Sequence, residues 1–461
     1  MEFLNRTDFP ALHYDSIDQH GELFHVVVVR QSFSLTQSGT ELRHPQAPLC
    51  ETDLNFGEDG GGNVLQESDL SPFKPMCDII VNAVAHAPQR TPVRAFRVRL
   101  VVEENSGVGI DTAPSANNVG NRKANKGNRI LVDKSLTVHG GRSILQRALP
   151  VRVCAGVIRA LSVGFVSIPT WRLTEAKSFT SLPLRYEYAY GGENILRAEP
   201  KDRQKMIRAI GSAHCYPESG EGWSSGAPSD TLAAPPIAHS ANEHNPVGAG
   251  FAKPWYLKHA GRHVLDAPRI EYTDHPFDSR VFWKTVHGSA SFHPAGFGAI
   301  GRTWLPRRNF IGDIGAGHCL PPDFSNRYWN CAPLDQQCQH LRGDEVFSLI
   351  NMTDPDAMVS TRDASGDTLL RFQLPSIRPF LALCDMADRV GVLQCVLDTV
   401  VIDPESRTLD LVWRSSVPAQ AQLASIALQA ASPGPACAEL DAVLAAAAAL
   451  SEETSNKLVE A

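Results

Sequence analysis

The residue types best suited to chemistry crowd between His318 and Glu345, in "HCLPPDFSNRYWNCAPLDQQCQHLRGDE". These 28 residues hold three cysteines, two histidines, four carboxylates and three aromatics. Three chemistries suit them: a zinc centre, a nucleophile cluster, or a rigid binding loop. Structural zinc takes four ligands, usually as close pairs such as C-x2-C. His318, Cys319, Cys331, Cys338 and His340 lack that pairing. A Cys/His or Ser/His nucleophile has to be assembled from distant positions, and 10 cysteines with 16 histidines offer too many pairs to single one out. No G-x-S-x-G elbow occurs. Gly296, Gly298 and Gly301 match G-x-G-x-x-G, but "SFHPA" precedes them and Pro306 falls where a helix should run, so they read as a turn-rich ordered loop.

The rigid-loop reading rests on backbone restriction. Pro321-Pro322 and Ala332-Pro333 keep the preceding residues out of the helical region. Asp323 and Asp335 are placed to bond nearby backbone N–H groups and hold turns. Phe324, Tyr328 and Trp329 add large apolar area with few rotors, and "LRGDE", with Arg342, turns the chain into the strand "VFSLI". A loop of this kind either presents a binding platform or covers a sheet edge. A hydrolase or metal-dependent enzyme using the Cys/His-rich 318–340 segment stays open as an alternative, as does a structural subunit of a larger apparatus.

The whole chain sets the frame for these residues. At 461 residues it exceeds the ~100–200 typical of one domain, although β-rich folds run longer. Apolar residues make up 43%, enough for a core, and 34 glycines with 32 prolines favour turns over long helices. The net charge of −7 argues against a nucleic-acid or anionic-membrane binder. No apolar run reaches the ~18–20 residues of a membrane span, and no signal peptide is visible at the N-terminus. The cysteines therefore read as reduced, and a cytoplasmic location is expected.

Strand patterns recur along the chain: "ELFHVVVVRQSFSL" (22–35), "FRVRLVV" (96–102), "RILVDKSLTV" (129–138), "LPLRYEYAYGG" (182–192), "DEVFSLINM" (344–352), "TLLRFQLP" (368–375), "PFLALCD" (379–385), "GVLQCVLDTVVID" (391–403) and "TLDLVWRS" (408–415). "DPES" has the length and chemistry of a hairpin turn. A helix is expected over 199–211, an exposed polar loop between 105 and 128, and an irregular surface stretch over 212–262. After Val417 the chain becomes alanine-rich and reads as helical, split at Pro433-Gly434-Pro435. The expected fold is mainly β: an antiparallel sandwich or barrel-like body with long ordered loops and a short alanine-rich helical C-terminal appendage. Its parts are an N-terminal segment (1–20), a β-rich domain (20–415) with sub-lobes over about 20–195 and 265–415, and a helical tail (416–461).

Set side by side, "SPFKPMCDIIVNAVAHAP" (71–88), "LPLRYEYAYGG" (182–192), "NPVGAGF" (245–251), "GFGAIGRTWLPRR" (296–308), "DFSNRYWNCAPLDQQCQHLRGDE" (323–345) and "VLDTVVIDPESRTLDLVWR" (396–414) give the chain a family likeness. It resembles the effector-loading adaptor/chaperone family of bacterial type VI secretion systems over roughly residues 20–415. Ala83 after "VN" and Ala249 in "NPVGAGF" depart from that pattern. The resemblance implies a non-catalytic protein that holds a secreted effector toxin and docks it on a valine-glycine repeat spike protein or its PAAR-type tip. It implies no cofactor, no metal and no catalytic residues. Buried aromatics and arginines anchor most interfaces, which directs attention to "TWLPRR" (303–308) and "DFSNRYWN" (323–330). The partner-binding residues expected from these and the following turn are Trp304, Arg307, Arg308, Asp323, Phe324, Tyr328, Trp329, Asp335, Gln336 and Arg342. The Arg307-Arg308 pair is read as a directed contact for an acidic patch.

Overall fold

A computed structural model of the chain describes residues 1–444 apart from 19, 58–62, 106–128, 155–162, 198–204, 206, 207, 209–237, 289–291, 314–319, 364 and 435–437. Residues 106–128 of the expected polar loop therefore lie outside the described residues, as do 209–237, His318 and Cys319. Of the helix expected over 199–211 only Lys205 and Arg208 are described, and both are helical.

The fold is mainly β, and its three largest sheets share one core. The first has seven strands, centred on Leu23–Thr36, Thr408–Pro418, Val396–Asp403 and Cys77–Val81 in spatial order. The second has six, centred on Ile130–His139, Ala95–Glu103, Val346–Ile350 and Thr368–Gln373. The third has four: Glu2–Asn5, Leu423–Ala431, Arg378–Asp385 and Val390–Gln394. Period-two alternation sends Val27, Val29, Phe33 and Trp413 of the first sheet inward against Val98, Leu100, Phe347 and Phe372 of the second, with Leu381, Ile426 and Leu428 of the third. Among the described residues no sheet closes into a barrel.

The strands pair across the length of the chain. Leu23–Thr36 lies antiparallel to Thr408–Pro418, Ala95–Glu103 lies antiparallel to Val346–Ile350, and Cys77–Val81 runs parallel to Val396–Asp403. Strands from the two expected sub-lobes thus alternate within the same sheets, which corrects the reading of two lobes. Alternation within a segment marks a strand but carries no information about its partner. A smaller core, with Ile144, Trp171, Tyr190, Phe277 and Phe282, forms beside this body from the strands Ser143–Cys154 and Val163–Leu173 and the helix Ser279–Val286. The described part of the 212–262 stretch, residues 238–262, is more regular than expected, with a strand at Ala238–Ala241 and a helix at Pro254–His259.

Four local expectations change. The alanine-rich segment after 417 is not all helix: Leu423–Ala431 is a strand held between Arg378–Asp385 and Glu2–Asn5, and among the described residues α-helix appears only over 438–444. Its large buried side chains, Ile426 and Leu428, are set among alanines that suit either state. The N-terminal segment is not separate either, because Ala11–Ile17 pairs with Leu23–Thr36. The run "GVLQCVLDTVVID" breaks at Cys395, which sends Val390–Gln394 and Val396–Asp403 into different sheets. "LPLRYEYAYGG" is a short strand at Ser181–Pro183 followed by a 3-10 turn at Tyr186–Tyr188. The hairpin turn at "DPES" is present, with Asp403 Oδ1 accepting from the Ser406 N–H.

Candidate functional site: a braced loop platform

One face of the seven-stranded sheet meets the core, and the other is covered by loops over 63–76, 299–313 and 320–336. That is why Leu23–Thr36 is buried on both sides from Val26 to Phe33, including Arg30, Gln31 and Ser32. Burying charge is tolerated only when it is paired and hydrogen-bonded. Arg30 accordingly donates to Asp69 (3.0 Å) and Asp410 (2.8 Å), and Arg414 to Asp398 (2.6 Å) and to the Asp69 carbonyl. The Lys74 Nζ donates to Asp78 (2.9 Å) and Thr399 (2.9 Å). Burial opposes the charge of Lys74, but Asp78 holds its ammonium above the ordinary lysine range.

Asp78 is the hinge between sheet and loop. Wholly buried, it also accepts from Asn330 Nδ2 and from the backbone N–H groups of Cys331 and Ala332. Two residues of the 71–88 motif thereby hold the centre of the 323–345 motif. Gln336 extends the grip: its Nε2 donates to the carbonyls of Ile79 (2.7 Å) and Phe297 (2.9 Å). Its Oε1 accepts from Lys134 Nζ, which also reaches Asp335 (2.8 Å). Burial pushes Lys134 down to about 8 against the opposing pull of Asp335.

Arg307 forms the second brace. It is 3% exposed, pairs through both Nη atoms with the buried Glu67, and donates to the carbonyls of Ile300 and Tyr328. Burial works against its charge and Glu67 more than offsets that, so it stays cationic. Trp304 lies edge-on to Tyr186, whose hydroxyl donates to the Gly298 carbonyl. A Cβ at Gly296 would stand 2.4 Å from the Tyr186 ring, so the glycines here admit an aromatic ring against the backbone. Asn245 Nδ2 then ties the carbonyls of Tyr186 and Tyr190. All six motif segments thus meet in one assembly of sheet and loops.

The expected partner-binding residues separate by burial. Trp304, Arg307, Phe324 and Gln336 face inward as braces, which corrects the reading of Arg307-Arg308 as a paired surface contact. Arg308 is exposed and meets the equally exposed Glu243 at 2.9 Å. Asp323 is exposed and holds the turn at Gly312 by accepting from the Asp313 N–H, as its Asx chemistry suggested, whereas Asp335 is engaged by Lys134. Tyr328 and Trp329 are half-buried and stack edge-on with Phe324. The indole Nε1 of Trp329 is enclosed without a hydrogen-bond partner. Arg342 is exposed beside a polar cleft of about 270 Å³ that Glu104, Arg129, His340 and Glu345 also line. The same loops present Arg327, over the Phe310 ring at 4.7 Å, and Leu334, 62% exposed. Sequence reasoning missed both, since nothing in a composition distinguishes an exposed leucine from a core one.

The described part of the Cys/His-rich segment is committed elsewhere. Cys331 packs beside Lys74 Nζ and burial pushes its thiol well up, Cys338 faces Cys77 across a ladder, and His340 Nε2 meets the Lys74 carbonyl. A thiol raised in this way is a poor nucleophile and a poor metal ligand.

Residues 20–414 match an uncharacterized family conserved in bacteria, DUF2169. The chain belongs to this family. The matched range begins just before the Leu23–Thr36 strand and ends at Arg414, so the family's span contains the whole of the braced loop platform. No curated protein and no solved structure matches the chain.

Proposed function

We propose that the protein is a non-catalytic adaptor/chaperone of a bacterial type VI secretion system. It binds an effector toxin in the cytoplasm and helps load it onto the spike protein or its PAAR-type tip. The observation that carries this reading is the convergence of the six motif segments on loops pinned by buried ion pairs. Such bracing holds Arg308, Arg327, Tyr328, Trp329, Leu334 and Arg342 in fixed positions, and pre-ordered loops lose little entropy when a partner binds. The mixture of aromatics, arginines and an exposed leucine matches the composition of interface cores. The buried Lys74, Lys134, Glu67, Asp78 and Asp398 are each engaged by a neighbour, which supports a role in shape over one in turnover.

Co-purification tests the reading. The protein, co-expressed with the toxin and spike proteins encoded beside its gene, is expected to retain at least one of them, and an Arg308→Ala/Tyr328→Ala variant to retain about ten-fold less at an unchanged thermal midpoint. Failure to retain either partner removes the adaptor reading. Full retention by the variant moves the contact surface away from these loops.

A further inference from the structure

Ala11–Ile17 pairs antiparallel with the start of Leu23–Thr36, and Asp15 lies directly opposite His25. His13 stands two residues along the same strand, opposite Val27. The two-residue period of a strand therefore puts His13, Asp15 and His25 on one face. His25 Nδ1 is 2.6 Å from Asp15 Oδ1, and His13 Nε2 is 3.6 Å from the same oxygen. The three donor atoms all lie within 4.8 Å of one another. Phe3, from the four-stranded sheet, packs on the His13 ring with centroids 5.9 Å apart.

We propose that His13 Nε2, Asp15 Oδ1 and His25 Nδ1 bind a divalent transition-metal ion, best matched by zinc. Zinc bonds of about 2.0–2.2 Å in tetrahedral array place donors about 3.3 Å apart. The two observed spacings to Asp15 bracket that value, and the half-exposed Asp15 side chain is free to swing from its hydrogen bond to His25 toward an ion. Two imidazole ligands select against calcium and magnesium, which take oxygen donors. A second observation points the same way: His13 Nε2 is enclosed and has no hydrogen-bond partner, although the 3.6 Å gap to Asp15 holds it beside the other donors. An ion supplies that nitrogen with a bond and leaves the fourth position open to water. The site is a clip between the first strands of the chain. His13 and Asp15 precede residue 20, where the family match begins, whereas His25 lies within it, so the clip joins the N-terminal strand to the first strand of the matched range.

The test uses the full-length, untagged, chelator-treated protein and zinc chloride in isothermal titration calorimetry. One saturable zinc per chain is expected, with affinity at least ten-fold weaker in Asp15→Asn and the site lost in His13→Ala/His25→Ala. Calcium chloride should give no saturable heat. Zinc should also raise the thermal midpoint of the wild-type chain more than that of Asp15→Asn, whose exposed position spares the fold if the double variant misfolds. No saturable binding by the wild type overturns the proposal, and so does unchanged stoichiometry and affinity in Asp15→Asn, which would put the zinc on other ligands such as the cysteines.

Discussion

At the scale of residues, Arg307 and Arg308 are adjacent in sequence and opposite in role. Arg307 is locked to the buried Glu67, while Arg308 meets Glu243 in solvent. Removing one partner of a buried pair strands the other charge, so Arg307→Ala is expected to cost about 3–5 kcal/mol. Arg308→Ala should cost less than about 0.5 kcal/mol, since an exposed pair contributes little. Urea unfolding of the two variants separates brace from surface residue, and equal losses would refute the division. Lys134 gives a pH signature. Its native pKa lies near 8, depressed by burial from 10.5, so between those values the unfolded chain carries a proton that the native chain lacks. Stability attributable to this group therefore rises with pH across that window, by about 1.4 kcal/mol per unit at most. It is complete above 10.5 and lost as pH falls through about 8. Relative to Lys134→Met, the wild type should gain roughly 1–3 kcal/mol between pH 8 and pH 10 in urea titrations. Parallel pH curves for the two proteins would show that Lys134 keeps its proton throughout.

At the scale of elements, the informative case is the strand Leu423–Ala431. It lies inside its sheet, hydrogen-bonded on both edges, and buries Ile426 and Leu428. A chain ended after Pro418 loses that strand and uncovers Leu381, and its thermal midpoint should fall by more than about 10 °C. A chain ended after Ala431 loses the short helix and the Arg378–Asp441 pair, whose aspartate is exposed, and should change by only a few degrees. Differential scanning calorimetry of the two truncations decides this, and a helical tail dispensable from residue 418 onward would make both harmless.

At the scale of the molecule, the first strands of the body are completed by the last. Val26 to Ser34 pairs with residues 408–416, so the central ladder closes only after nearly the whole chain exists. A fragment covering residues 1–288 should give no cooperative thermal transition in circular dichroism, because its longest strand lacks a partner on one side. A sharp transition in that fragment would instead support a lobe that folds alone.

Sequence alone determined much of the local structure. Alternation marked Ala95–Glu103, Ile130–His139, Val346–Ile350, Thr368–Gln373 and Thr408–Pro418, and Asp403 with Pro404 marked the hairpin turn that leads into the last of these. These signals are legible because a strand with one wet face writes its burial into every second residue. Sequence also picked out the segments that build the platform. Tertiary structure decided which residues inside those segments face inward. Arg307 and Arg308, or Asp335 and Gln336, differ only in the direction of one side chain, set by loops folding back on a sheet assembled from both ends of the chain. Pairing was equally hidden: the hydrogen bonds of a strand are made by backbone atoms common to every residue, so no side chain in Leu23–Thr36 names Thr408–Pro418 as its partner. The strand Leu423–Ala431 shows the limit most plainly. Alanine favours a helix when isolated, and burial between two neighbouring strands overrode that preference there.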